Sequence, residues 1–367
     1  MTSLYVHLPF CRSKCLFCSF VIAVGKEHRS DSYLEALAAE AKDYRGQTIE
    51  TIYLGGGTPT HMSIDQLARL FALIKKTFKY NRDAEFTIEA NPEDIDPEKA
   101  KFLYGAGVNR ISLGVQSLND KYLSFLGRGH NREKALTAFH ILKKAGFSNI
   151  NLDLMFSFPG QTLEELEEDA HAIAALGSDH LSLYALTIEE GSRFFRQNMK
   201  LDDTEEQARA YTLITELLEK AGFRQYEISN FAKDGKESKH NRMYWEGGDY
   251  IGLGIGAHSH QDGRRFWNIS SLSLYLEKTK AGLSPVEGSE TLDNEKKFME
   301  TLLFGLRMNE GVEIDSLLKR YGVVLSPERK KKIAELTREG FFIEEKNRLC
   351  TTLKGRLLLD EISVQLI

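Results

Sequence analysis

No stretch of this chain stays apolar for long enough to cross a bilayer. Its first residues, MTSLYVHLPFC, lack the basic region followed by an apolar run that marks a secretion signal. Neither feature points away from the cytoplasm, which is the expected location, with no integral membrane segment. Cysteine is scarce as well: four in 367 residues are too few for a disulfide framework. An excess of positive charge is missing, since 48 Lys and Arg face 53 Asp and Glu for a formal net charge of -5. That balance gives no overall pull toward nucleic acid or anionic lipid. Long Pro-, Ser- or Gln-rich tracts are absent, and 42% hydrophobic with 28% charged residues is the composition of a folded soluble protein.

What is present alternates. Short apolar runs (LYVH, ETIYLGGG, EFTIEA, RISLGV, NINLDLMF and HLSLYAL) are separated by helix-length amphipathic stretches around residues 30–44, 63–78, 96–106, 132–145 and 162–176. In the second of these, Leu67, Leu70, Phe71 and Ile74 recur at helical spacing. Such alternation predicts an α/β fold built on a parallel sheet. Six units suit a partial (β/α)6 TIM-like barrel over residues 1–230, with a further strand around RQYEIS. From residue 231 to 289 the chain turns rich in Gly and His and loses helical period, and is expected to form a connecting segment of loop and short strands packed on the barrel. Residues 290–367 are expected to form a small, mainly helical, winged-helix-like domain. There Ser326, Pro327 and Gly340 mark the start and stop of a helix, and FFIEEKNRLCTTLKG reads as a short hairpin. The basic run Arg329 to Lys332 shares its helix with Glu328, Glu335 and Glu339, so it reads as a solvated face and not as a nucleic-acid site.

In barrels of this kind chemistry gathers where strands end. Here the strand ends run into the cysteine loop, GGGTPT, NPED, Gln116, Asp153 and Tyr184, a polar set predicted to converge on one mouth. Three of the four cysteines, Cys11, Cys15 and Cys18, form C-x3-C-x2-C within HLPFCRSKCLFCSF, while Cys350 reads as a small packed side chain. Thiolates bind soft or borderline metals. Structural zinc wants four ligands, and His7 is available as a fourth. An iron–sulfur cube held by only three cysteines leaves one iron open to an exogenous ligand. GGGTPT strips side chains from Gly55, Gly56 and Gly57, which reads as room for a ligand to approach the backbone.

The cysteine spacing directly after an initial strand resembles the radical S-adenosylmethionine (SAM) superfamily. The resemblance implies a barrel of the radical SAM type, a 4Fe-4S cluster on Cys11, Cys15 and Cys18, and SAM chelating the remaining iron. It implies that Gly57 and Thr58 lie beside the SAM amino group, and that Glu89, Gln116, Arg128 and Asp153 hold its ribose, amino-acid and carboxylate portions. Tyr5, Phe17 and Ala185 match positions near the cluster and the adenine. Over nearly its whole length, through YVHLPFC, LGGGTPT, IEANPED, RISLGVQS, NLDLMFSFPGQT and LSLYALTIEEGS, the chain resembles one branch of that superfamily. This branch contains oxygen-independent coproporphyrinogen III dehydrogenases and the paralogous HemW-type haem chaperones. The dehydrogenase pattern has a further cysteine where this chain has Phe20, and the chaperone signature H-N-x-x-Y-W is matched by His240, Asn241, Tyr244 and Trp245.

The chaperone resemblance implies haem held by His240, with Tyr244 and Trp245 as flat apolar surface. In GLGIGAHSH, Gly252, Gly254 and Gly256 read as room for a macrocycle, and His258 and His260 are weaker ligand candidates. Two functions stay open: a haem chaperone that delivers haem to an acceptor protein, and a dehydrogenase that decarboxylates propionate side chains of coproporphyrinogen III. Either leaves room for an electron donor, and the first for a cluster-dependent dimer.

Overall fold

A computed structural model describes residues 2–201 and 203–367. Six strands repeat with intervening helices: β1 (Thr2–Leu8), β2 (Thr51–Gly56), β3 (Glu85–Ala90), β4 (Arg110–Gln116), β5 (Ile150–Phe156) and β6 (His180–Ala185), each paired parallel with the next. Their apolar positions, such as Leu4, Val6, Ile52, Leu54 and Leu152, are buried in the shared core under the helices. The outer helices start where their sequences carry caps. Ser63 and Gln66 form a reciprocal capping box for Ile64–Thr77, and Thr162 and Glu165 do so for Leu163–Ala175.

The sheet does not stop at six parallel strands. After β7 (Arg224–Glu227) and β8 (Asn230–Ala232), which continue it antiparallel beyond β6, the chain returns to the other edge. There β9 (Asp249–Leu253) pairs parallel with β1, followed by antiparallel β10 (His258–Gln261), β11 (Arg264–Asn268) and β12 (Val286–Thr291). The segment expected as a connecting piece therefore supplies strands of the main sheet. Its glycines serve that packing and offer no platform for a macrocycle. A Cβ on Gly252 would meet the His258 carbonyl, one on Gly254 the Tyr33 hydroxyl, and one on Gly256 the Val21 side chain.

HNRMYW is also no loop. Helix Lys239–Trp245, capped by Ser238, sits under the N-terminal ends of the barrel strands. The carboxylate of Glu85, first residue of β3, accepts from the backbone N–H groups of Lys239 and His240 at 2.9 and 3.0 Å and from the Ser238 hydroxyl at 3.2 Å. Residues beyond 290 form helices Asn294–Gly305, Ile314–Tyr321 and Pro327–Arg338, the hairpin Phe342–Glu345 with Arg348–Thr351, and helices Leu353–Leu357 and Leu359–Leu366. They enclose a second core that includes Phe298, Leu302, Leu336, Phe342 and Ile362. Cys350 is buried there, away from the other cysteines.

Candidate functional site

Period-two alternation gives each parallel strand one apolar and one polar row. The polar row carries Tyr5 and His7 on β1, Tyr53 on β2, Glu85, Thr87 and Glu89 on β3, Arg110 and Ser112 on β4, Asn151 and Asp153 on β5, and His180, Ser182 and Tyr184 on β6. These side chains bond one another within and across the strands. Tyr53 donates to Glu89 Oε1 at 2.9 Å, Ser112 donates to Asp153 Oδ2 at 3.1 Å, and Asn151 Nδ2 donates to Asp153 Oδ1 at 2.7 Å. Burial, reinforced by the neighbouring Asp153 charge, pushes the Glu89 carboxyl up to about 7. Burial raises Asp153 too, against stabilising bonds from Asn151 and Ser112. The barrel thus holds two carboxyls with raised affinity for protons, suited to accept from hydroxyls of a ligand.

At the C-terminal mouth the cysteine loop is fastened at several points. Gly57 N–H donates to the Leu8 carbonyl at 2.8 Å, Thr58 N–H to Phe10 at 2.9 Å, and Ala23 N–H to Pro9 at 2.7 Å; Leu16 bonds through its N–H to Leu126 and through its carbonyl to Phe194. Gly57 makes room for this docking. A Cβ on Gly57 would lie 2.7 Å from the Pro9 carbonyl, and one on Gly56, whose φ is +113°, 2.6 Å from the His7 ring. The near neighbour is the protein's own loop at Gly57, the His7 ring at Gly56, and the Tyr53 and Glu89 side chains at Gly55.

Two of the three thiols are joined by a polar relay. Cys11 Sγ is 3.4 Å from Thr58 Oγ1, Asn91 Nδ2 donates to that oxygen at 2.9 Å, Arg128 Nη2 donates to Asn91 Oδ1 at 2.6 Å, and Arg128 Nη1 lies 3.4 Å from Cys15 Sγ. Arg128 Nη2 also donates to the Gly114 carbonyl at 2.7 Å, while its Nε is buried without a partner among the described residues. Asn91, Gln116 and Arg128 crowd over Gly114, where a Cβ would meet all three within 3.3 Å. Gln116 itself has φ +68° at a break in the β4–β5 register, so the backbone is bent to aim it. Neither Asn91 nor Gly114 stood out in the sequence. The signal was Asn91's position, directly after the β3 strand end and before Pro92.

The residues fit a cluster better than a single ion. Tetrahedral zinc needs sulfurs about 3.7 Å apart, from a Zn–S bond of about 2.3 Å, and among the described residues no trio of His, Cys, Asp or Glu is close enough to share one ion. The fourth ligand available to zinc is engaged: His7 Nε2 donates to the Val21 carbonyl at 2.7 Å and Nδ1 accepts from the Tyr5 hydroxyl at 3.0 Å. Three thiols, a guanidinium against one of them and an orphaned Arg128 Nε are what a cluster with an anionic chelator on its open iron would use. Burial pushes the Cys11 thiol up to about 12 and raises Cys18, so bound iron has to displace their protons.

Of the other expected contacts, Phe17 packs in a small apolar cluster with Leu126, Phe158 and Phe194 under the loop. Ala185 ends β6 opposite Phe156. Tyr5 stacks on Tyr53 with centroids 6.2 Å apart.

The haem candidates lie elsewhere. His240 is 1% exposed, at the opposite end of the barrel from the cysteines. Thr51 donates to Ser3, so His240 Nδ1–H donates to Thr51 Oγ1 at 2.7 Å, and Nε2 accepts from the Tyr244 hydroxyl at 3.2 Å. Burial and the Arg110 charge bring its pKa down to about 3, so the ring is neutral. The free imidazole expected of His240 is not presented in this geometry, because both nitrogens are engaged in the barrel floor. Tyr244 and Trp245 do face open space, lining a cleft of about 570 Å³. His258 is exposed and stacks on Trp267, and His260 lines the same cleft as Tyr244. A column of contacts joins the two ends: Tyr244 to His240, His240 stacked on Tyr53 at 5.0 Å, and Tyr53 to Glu89.

A strand-end cysteine trio over a partial barrel defines the radical SAM class, and the comparisons agree. The family model described as the Radical SAM superfamily matches residues 5–173, and the HemN C-terminal domain matches residues 292–358. The coproporphyrinogen III oxidase structure from Escherichia coli, described as a radical SAM enzyme, superposes with a TM-score of 0.88 at 25% identity, over 100% of this chain and 89% of that one. The heme chaperone HemW of Bacillus subtilis is 36% identical over 99% of this chain and 98% of its own length, and that of Lactococcus lactis 34% over 98% of each. The chain belongs to the radical SAM superfamily and, within it, to the HemW haem-chaperone family.

Proposed function

We propose that this protein binds haem and passes it to an acceptor protein, while Cys11, Cys15 and Cys18 hold a 4Fe-4S cluster whose fourth iron takes an exchangeable SAM. When bound, the cluster and SAM supply one-electron chemistry. The chain's own residues do the holding. Arg128, oriented by Asn91 and the Gly114 carbonyl, would offer its unpartnered Nε–H and its charge to the SAM carboxylate. Glu89 and Asp153 accept from the ribose hydroxyls, Gln116 reaches the amino-acid portion, and Gly57 and Thr58 border the amino group. Tyr5, Phe17 and Ala185 form the apolar surround of cluster and adenine. Tyr244 and Trp245 supply flat surface for haem. An electron donor and a reducing cytoplasm belong to the same proposal.

The observation that carries the chaperone reading over the dehydrogenase is the likeness to the HemW proteins along nearly the whole chain, together with Phe20. Phe20 is 66% exposed at the cysteine loop, where the dehydrogenase pattern has a cysteine. The test is a paired assay on anaerobically reconstituted protein. Haem should bind at about one per chain, and coproporphyrinogen III with SAM and a reductant should remain unconverted. Protoporphyrinogen in that mixture would overturn the chaperone reading.

A further inference from the structure

We propose that the haem-binding site is the cleft under the barrel floor, with His260 as the axial ligand and Lys297 and Arg320 receiving the propionates. This rests on the haem-chaperone reading and locates what that reading leaves unplaced.

The cleft, about 570 Å³, falls in the range of about 300–1,000 Å³ of sites that enclose cofactor-sized ligands. Its walls are flat rings: Tyr244 meets Tyr250 edge-on with centroids 4.7 Å apart, and Trp245 meets Phe304 at 6.1 Å. A planar macrocycle gains most from such surfaces.

His260 is built as a ligand in a way His240 is not. It stands on β10 directly opposite Tyr250, and its Nδ1 is 3.1 Å from Asp249 Oδ1. That carboxylate oxygen also accepts from the Asp262 N–H at 3.2 Å, which fixes its position. With Nδ1 set beside a held carboxylate, Nε2 is the ring nitrogen left for a ligand, and metal-bound histidines commonly have a carboxylate beside their second nitrogen. His260 Nε2 has no hydrogen-bond partner among the described residues, and the side chain lines the cleft.

Two lining cations are placed to meet the two carboxylates of the ligand. Arg265 is tied to Glu290 and Glu300. The formal charges of the lining balance, Arg265, Lys297 and Arg320 against Asp249, Asp262 and Glu300, and Lys297 and Arg320 are its cations without an ion-pair partner among the described residues.

The location also separates haem from SAM. Asp249 is the first residue of β9, paired with Thr2 at the start of β1, whereas the cysteines follow the end of β1. The two ligands would touch only through the Tyr244–His240–Tyr53–Glu89 column, so both bind at once.

The experiment is a haem titration of the full-length protein, with and without SAM, followed by the Soret band and by magnetic circular dichroism for axial ligation. The wild type should show a histidine-ligated spectrum that SAM does not displace. His260→Gly should lose that ligation and weaken binding on the order of a hundredfold, the upper end for disturbing a metal-ligand shell. Added imidazole should restore the spectrum. Asp249→Asn should weaken binding by about tenfold. If His260→Gly misfolds, as judged by its melting curve and cluster absorbance, His260→Met takes its place and should exchange the histidine signature for a thioether one.

Wild-type binding with an unchanged spectrum in the variant would remove this site alone and leave the chaperone reading standing. Loss without imidazole rescue, or displacement of haem by SAM, would also overturn it. A wild type that binds no haem would sink both.

Discussion

Gly57→Ala should damage the cysteine loop while sparing the rest of the fold. The added methyl would sit 2.7 Å from the Pro9 carbonyl carbon and oxygen and 2.9 Å from the Phe10 oxygen. That is about 0.7 Å inside ordinary contact for close-packed atoms. The atoms it meets are backbone and cannot rotate away. They are tied by the bonds from Gly57 to Leu8, Thr58 to Phe10 and Ala23 to Pro9. Overpacking of this kind costs about 1–3 kcal/mol, and the displaced segment leads directly into Cys11. Iron retained after anaerobic reconstitution should fall together with the denaturation midpoint. Gly105→Ala is the control, because nothing lies within 4 Å of its added Cβ at the end of helix Pro97–Gly105. It should be neutral or stabilising by up to about 1 kcal/mol. Full iron loading and wild-type stability in Gly57→Ala would refute the claim that Gly57 serves loop docking.

Cys15→Ser should abolish the 4Fe-4S absorbance, and an undiminished spectrum would contradict the ligand assignment. Buried Glu40 accepts from Gly254, Asn268 and Tyr275, yet burial pushes its carboxyl up to about 7. The folded state therefore keeps a proton that the unfolded chain, near 4.5, has released. The stabilisation is complete below that lower value and is lost as pH rises through about 7, a change on the order of 3 kcal/mol. Urea unfolding of Glu40→Gln against the wild type should move in the variant's favour by that order between pH 4.5 and 8, and a constant difference would refute it. Tyr244→Phe leaves the buried His240 Nε2 unpaired and should cost about 1–3 kcal/mol; a variant as stable as the wild type would show that this bond is worth nothing.

The barrel was legible because period two and period 3.6 alternate so regularly from LYVH to HLSLYAL, and because the helix starts carry their caps. The convergence of the cysteine loop, Thr58 and Gln116 followed from one rule, that strand ends share a mouth, whereas Arg128, which follows a helix, came only from the family resemblance. What escaped was long-range. Nothing local tells that DYIGL will pair parallel with a strand more than 240 residues earlier, or that a carboxylate at the start of β3 will hold the Lys239–Trp245 helix as a floor. Glycines are ambiguous for the same reason: Gly55 to Gly57, Gly252, Gly254 and Gly256 mark close approaches, and the neighbours they meet here are other parts of the chain. Asn91 was hidden in NPED, where an Asn before Pro reads as a turn, while its function comes from Thr58 and Arg128 reaching it from other loops.

The central claim is a cluster on Cys11, Cys15 and Cys18 with an iron open to SAM. It is tested most directly by electron paramagnetic resonance of the reduced, anaerobically reconstituted protein before and after SAM is added. The account predicts a cluster signal that changes shape on addition of SAM. An iron-free polypeptide carrying zinc, or a cluster signal indifferent to SAM, would contradict it.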